Sequence, residues 1–149
     1  MKSLFEELRK CCEKIGFNFE RAKKEVEELI RDLGVEVIDY FITTDVPIEY
    51  FEGTLMDVCM LTNKALLGYE IKKGNVSLFH VLPLDKLRIV AQEVRVEKEN
   101  KYLIADFRFG DMGGLATSTN VDNQEGMERL RRFLRRVASQ ILGKGYEHS

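Results

Sequence analysis

The chain has little of what several functional classes require. It contains no tryptophan, two prolines, two histidines and three cysteines. Three is an odd number of cysteines, which fits a reducing compartment better than a disulfide scaffold. No run of 18 apolar residues is present, so the sequence predicts no transmembrane helix. Its first residues, MKSLFEELRKCCEK, are too charged for a signal peptide, and we therefore expect a cytoplasmic protein.

The first 34 residues have the pattern of a helical hairpin. Ser3 and Glu6 have the spacing of a capping box, and Gly16 is placed to end the first helix. Asn18 can cap a second helix that Gly34 ends. Two helices alone have little core, so we expect the hairpin to dock on whatever follows it.

From residue 35 the apolar period changes from helical to alternating. Gly, Asn and Asp turn signals separate short apolar segments every 8 to 12 residues or so, the spacing of an antiparallel meander, sandwich or barrel. The predicted strand segments are VEVIDYFIT, TLMDVCMLT, ALLGYEIKK, VSLFHVL, RIVAQEVRVEKE, KYLIADFRFG and LATSTNV. Alternation places Val90, Val94 and Val96 on one side of their segment, and it points Leu103, Ala105, Phe107 and Phe109 inward. A helix then begins near Asp122 or Asn123, and Gly143 is expected to end it. Its apolar stripe consists of Met127, Leu130, Leu134, Val137 and Ile141.

These elements predict one α+β protein in three parts. Residues 1–34 form the hairpin, residues 35–143 form a curled antiparallel sheet with its C-terminal helix, and residues 144–149 form a frayed tail. With 149 residues, of which 44% are hydrophobic, the chain is long enough for a real core.

Seven strands followed by one helix is also the order of the pleckstrin-homology-like superfold. The passages LTNKALLGYE and HVLPLDKLRIV resemble strand-turn and "I-P-L" passages of bacterial PH-like and GRAM-like domains. The resemblance covers roughly residues 35–142 and implies a small seven-stranded barrel plugged by the last helix. It implies no particular ligand, because that fold hosts many. Phosphoinositide binding is not expected, since the segment FITTDVPIEYFEGT carries three acids and no base.

No catalytic or cofactor-binding pattern is present. Cys11 and Cys12 are adjacent on a helix and point about 100° apart, so they cannot bridge without distortion. His80 lacks further ligands for a metal, and GDMGG lacks the Lys-Ser/Thr of a phosphate-binding loop. We therefore predict a protein that is not an enzyme and has no cofactor. A small-molecule carrier or enzyme would need an apolar pocket, with His80, Asp106 and Arg108 the first residues to inspect.

The last helix is rich in arginine. Five arginines fall within eight residues: Arg129, Arg131, Arg132, Arg135 and Arg136. Pairs such as Glu125–Arg129 and Glu128–Arg132 are typical of an ordinary solvated helix face. Arginine also suits the capture of carboxylates or phosphates, so the same residues are candidates for binding an acidic protein, nucleic acid or anionic membrane.

An acidic segment balances this basic helix. Residues 35–64 carry six acids and one base, whereas residues 123–149 carry a net charge of +3. The two could meet between subunits of a homo-oligomer. Tyr50 and Phe51 in the acidic loop are a second candidate contact.

The leading hypothesis is a non-catalytic binding or scaffolding module that acts through protein–protein contacts. The alternative is a peripheral binder of anionic membrane or another polyanion.

Overall fold

The computed structural model of the chain describes residues 2–48 and 51–147, and within them it is an α+β fold. The helices are α1 (Lys2–Ile15), α2 (Phe19–Leu33) and α3 (Gln124–Glu147). The strands are β1 (Val37–Thr43), β2 (Thr54–Thr62), β3 (Ala65–Lys72), β4 (Val76–Pro83), β5 (Ile89–Glu97), β6 (Asn100–Arg108) and β7 (Gly114–Asn120). Short 3₁₀ turns lie at Leu84–Lys86 and Gly110–Met112.

The predicted helical hairpin is confirmed, and local capping explains both boundaries of α2. The side chain of Asn18 accepts the Arg21 N–H at 2.9 Å, and Gly34 ends α2 in the left-handed region at φ +62°. The predicted capping box at Ser3 is wrong, because α1 already begins at Lys2 and Ser3 lies inside it. A hydroxyl inside the helix cannot serve as its N-cap.

The strands form two antiparallel sheets rather than one. The first sheet has the order β1-β2-β3-β4 and the second has the order β5-β6-β7. Within each sheet, every strand pairs with its neighbours in sequence, as expected for a meander. A closed seven-stranded barrel is not confirmed: among the described residues, no ladder joins the two sheets. Strands β4 and β5 therefore both have a free edge.

The helical hairpin covers one face of the first sheet. Alternate residues of β2 and β3 point toward the hairpin and are buried with its apolar stripes. The buried members of this cluster are Leu4, Leu8, Cys12, Phe17, Ala22, Val26, Leu29, Met56, Val58, Met60, Ala65, Leu67, Tyr69 and Ile71. The hairpin therefore docks within its own chain.

The opposite face of the first sheet packs against the second sheet and α3. The rings of Phe107 on β6 and Phe133 on α3 meet edge to face at 6.0 Å. Asn123 caps α3 by accepting the Gly126 N–H at 2.9 Å. The helix continues to Glu147, so the predicted end at Gly143 is wrong. A helical glycine costs only about 1 kcal/mol relative to alanine, and the helix absorbs that cost here.

Candidate functional site

Two of the five arginines on α3 are bound to the protein itself. Arg129 lies 3.7 Å from the Glu7 carboxylate, stacks over Tyr40 and donates to the Tyr40 carbonyl at 3.3 Å. Arg136 lies 3.6 Å from the Asp39 carboxylate and 3.5 Å from the Ile38 carbonyl. Because β1 is an edge strand, these arginines satisfy carbonyls that no neighbouring strand reaches.

The other three arginines remain on the surface. Arg131, Arg132 and Arg135 are exposed, and within the described part of the chain none of them has an ion pair. The predicted pairs Glu125–Arg129 and Glu128–Arg132 do not form, since Arg129 turns toward α1 instead. The basic surface of α3 is therefore smaller than the sequence suggests.

The acidic loop between β1 and β2 is fastened to the second sheet. The carbonyl of Asp45 accepts the Ser118 hydroxyl at 2.8 Å, and the Ile48 N–H donates to the Glu97 carboxylate at 3.0 Å. Phe51 is half-buried, and its N–H donates to the Pro47 carbonyl at 3.0 Å. The other predicted contact residue, Tyr50, lies outside the described residues.

Much of the charge of segment 35–64 is used inside the fold. Asp39 faces Arg136, the Asp45 carboxylate accepts from the Asn123 side chain at 3.2 Å, and Asp57 is buried. These three carboxylates are therefore not available as a free acidic surface for the arginine helix of another subunit.

A polar groove of about 380 Å³ lies where α1, the end of β1 and the start of α3 meet. Its cationic and anionic side chains are equal in number: Lys10, Lys14 and Arg129 against Glu7, Asp45 and Glu125. The Arg129–Glu7 contact and the hydrogen bond of Asp45 already join some of these groups. The groove therefore has no net charge that would select a ligand of one sign.

A second groove, of about 570 Å³, lies between α2 and β4, and we call it the α2–β4 groove. Its apolar lining includes Leu29 and Leu33 of α2 and Phe79 of β4. The Phe79 side chain is 60% exposed, although phenylalanine is ordinarily a core residue. Its acidic rim is formed by Glu25, Glu28 and Asp32. This is an apolar groove with charge of one sign at its mouth.

The free edge of β4 runs beside this groove. The Lys73 N–H donates to the Gly53 carbonyl, so the backbone of Lys73, and by alternation that of Tyr69, faces β2. Phe79 lies opposite Tyr69 and therefore directs its own N–H and C=O away from β3. By the same alternation, the backbone N–H and C=O of Val81 also point away from β3. Val81 is a second exposed apolar residue on this strand. Unpaired backbone groups and exposed apolar side chains thus occur together on β4.

One carboxyl is buried between the two sheets. Asp57 is only 7% exposed and lies opposite Thr43 and Glu70 on the neighbouring strands. Burial, and after it the charge of Glu70, raises the pKa of Asp57 to about 8, against a smaller lowering by Thr117. Asp57 Oδ2 and Thr117 Oγ1 both lack a hydrogen-bond partner in the described structure. The Thr117 hydroxyl can itself donate to a charged Asp57, which is why its influence lowers the pKa of that carboxyl.

The remaining candidate residues are His80 and the three cysteines. His80 forms a 3.3 Å contact with the Glu70 carboxylate, and Cys11, Cys12 and Cys59 are free thiols. Burial raises the pKa of Cys12 to about 11. Within residues 2–48 and 51–147, no three His, Cys, Asp or Glu side chains come together in a way that could hold a metal ion.

Comparison with known proteins finds no protein-family model, no curated protein and no solved structure that matches this chain. None of the helices in the described part is both long and apolar enough to cross a membrane.

Proposed function

We propose that this protein is a non-catalytic binding module that holds an extended segment of a partner protein along the free edge of β4. One observation supports this above all: Phe79 is exposed at a groove of about 570 Å³, on a strand whose backbone is unpaired on the same side. A groove between a helix and an edge strand is a common arrangement for strand addition.

In this mode the backbone gives affinity and the groove gives specificity. An added strand would hydrogen-bond with the outward-facing N–H and C=O groups of Phe79 and Val81. Every second side chain of that strand would lie on the α2 side of the sheet. There one apolar side chain would pack between Phe79 and the side chains of Leu29 and Leu33. The segment therefore needs an apolar anchor at that position.

The charges on the rim of the groove favour a partner segment of the opposite charge. Glu25 is held by Arg21, Tyr69 and the hydroxyl of Ser77. Glu28 and Asp32 lie farther along the same rim, beside the apolar lining. Carboxylates around an apolar groove favour a segment whose anchor is flanked by lysine or arginine.

Selection from a phage-displayed library of random 12-residue peptides tests this proposal. Peptides with an apolar residue flanked by Lys or Arg should be enriched, and fluorescence anisotropy should then give their affinities. Phe79→Asp should weaken binding at least 30-fold, corresponding to about 2 kcal/mol for a central aromatic contact. The matched control is Leu142→Asp on α3, which is 70% exposed and far along the chain from the groove.

A charge variant tests the rim separately. Glu28→Lys together with Asp32→Lys should weaken a basic peptide about tenfold and reduce the dependence of its affinity on salt. The proposal is wrong if no peptide is enriched, or if Phe79→Asp and Leu142→Asp weaken the enriched peptide equally.

A second candidate function rests on the three exposed arginines. Arg131, Arg132 and Arg135 lie exposed on one stretch of α3, without an ion pair to any described residue, and such guanidinium groups suit the binding of a polyanion or anionic membrane. Changing all three to glutamate should abolish co-sedimentation with phosphatidylserine vesicles. Retention of vesicle binding in that variant would exclude the surface.

We also propose that the fold is pleckstrin-homology-like. Its support is the order of seven antiparallel strands in sheets of four and three, followed by α3 packed between them. Backbone contacts between β7 and β1 in solution NMR spectra would support a closed corner, and their absence would contradict it.

A further inference from the structure

The free edge of β5 carries apolar side chains that the fold leaves uncovered. Residues Val90, Val94 and Val96 share the face of the second sheet that points to the core. Val90 packs on that core, but Val94 is 61% exposed and Val96 is 62% exposed. A long edge strand with exposed apolar residues is a ready template for another strand.

The backbone of β5 is also oriented for pairing. The Lys101 carbonyl accepts the Val121 N–H, so the backbone of Lys101 faces β7 rather than β5. Val96 lies opposite Lys101 and therefore directs its own N–H and C=O to the free edge. By alternation, Val94 and Gln92 do the same.

We infer that β5 pairs with β5 of a second copy of this chain, antiparallel and centred on Val94. The two chains are then related by a two-fold axis, and the two sheets of three strands become one continuous sheet of six. In this register Val94 lies opposite Val94, and Val96 lies opposite Gln92 of the second copy. All of these residues present free backbone groups to the shared edge.

The charges of β5 complement one another in this register. Glu93 and Arg95 lie on the outer face of the sheet and are 3.7 Å apart within one chain. Centring on Val94 places Glu93 opposite Arg95 of the second copy, and this contact occurs twice by symmetry. The neighbouring registers that bond the same backbone groups, centred on Glu93 or on Arg95, place like charges opposite each other, which is unfavourable.

Disulfide trapping tests the register directly. A hydrogen-bonded antiparallel pair has its Cα atoms about 5.5 Å apart, which suits a disulfide. In a Cys11→Ser background, Val94→Cys should therefore form a covalent dimer on oxidation. The control Val96→Cys should not, because its two copies would be displaced by about 14 Å along the strand. Analytical ultracentrifugation across a concentration series should show a dimer of the wild-type protein.

Charge reversal tests the pairing of Glu93 with Arg95. Glu93→Arg alone and Arg95→Glu alone should each weaken the dimer about tenfold, because each creates two like-charge contacts. The double variant should recover the wild-type association constant. A structural defect of the monomer would not be repaired in this way.

Three outcomes would each overturn the proposed pairing of β5 with β5 of a second copy. A wild-type protein that stays monomeric throughout the concentration series overturns it. So does a dimer in which Val96→Cys is trapped as well as Val94→Cys, or a double charge variant weaker than either single variant. The inference uses the β5 edge and is independent of the α2–β4 groove, so either proposal can fail without the other.

Discussion

Replacing Asp57 by asparagine removes an ionisable group from between the two sheets while nearly preserving its volume. In the folded protein the carboxyl of Asp57 keeps its proton up to about pH 8, because burial and the neighbouring Glu70 disfavour the charged form. The ordinary pKa of this group is 3.8. Between these two values, unfolding releases a proton. The free energy of unfolding therefore falls as the pH rises.

The size of the effect follows from the two pKa values of Asp57. About four pH units at about 1.4 kcal/mol each give on the order of 5 kcal/mol, lost progressively between pH 4 and pH 8. Above pH 8 the carboxyl is ionised in both the folded and the unfolded state. The loss in free energy of unfolding is then complete and no longer changes with pH. Below pH 4 the carboxyl is neutral in both states and imposes no penalty.

The Asp57→Asn variant should not show this loss. We expect it to be several kcal/mol more stable than the wild-type protein at pH 9 and close to it at pH 4.5. Urea unfolding followed by circular dichroism at pH 4.5, 7 and 9 measures the difference. Asp85→Asn is the matched control, since Asp85 is exposed and its replacement should change stability by less than about 0.5 kcal/mol.

The difference in stability between the Asp57→Asn variant and the wild-type protein isolates this one group from the other carboxylates. A difference that stays the same from pH 4.5 to pH 9 would refute the reasoning. So would a variant less stable than the wild-type protein at pH 9. Glu70→Gln offers an independent check, because removing that charge should lower the pKa of Asp57 and shift the loss of stability to lower pH.

Two further predictions concern the packing of the fold. Gly68→Ala should destabilise the protein by no more than about 1 kcal/mol in thermal unfolding, because the Leu115 methyl group that would lie 2.9 Å from the added Cβ is the far end of a flexible side chain; a loss of about 3 kcal/mol or more would show that Leu115 is held rigidly between the sheets. Arg129→Ala should cost about 1 to 2 kcal/mol through lost contacts with Glu7 and β1, whereas Arg131→Ala should cost less than about 0.5. Equal effects of the two arginine variants would contradict the assignment of Arg129 to the fold.

Sequence alone predicted the features that depend on local chemistry. Asn18 and Gly34 bound α2 because a side-chain acceptor and a left-handed residue act within one turn. The alternation of Leu103, Ala105 and Phe107 correctly identified the core-facing side of β6. These signals lie within a few residues of the structure that they specify.

Features that depend on distant parts of the chain were not predicted. Alternation placed Val94 and Val96 on one side of the strand with Val90, but it carries no information on whether another element covers that side. The sequence suggested that Arg129 and Arg136 belong to a surface patch, because their partners on β1 lie 89 and 98 residues earlier in the chain. The α2–β4 groove brings together Leu33 and a strand more than 40 residues away, and no local motif marks it.

Hydrogen exchange of the protein with and without a selected basic peptide tests the central claim most directly. Strand addition predicts that the amides of Phe79 and Val81 become strongly protected when the peptide binds, because those N–H groups face the free edge of β4. The amides of β5 and α3 should change little. Protection confined to α3, or absent from β4, would contradict the account.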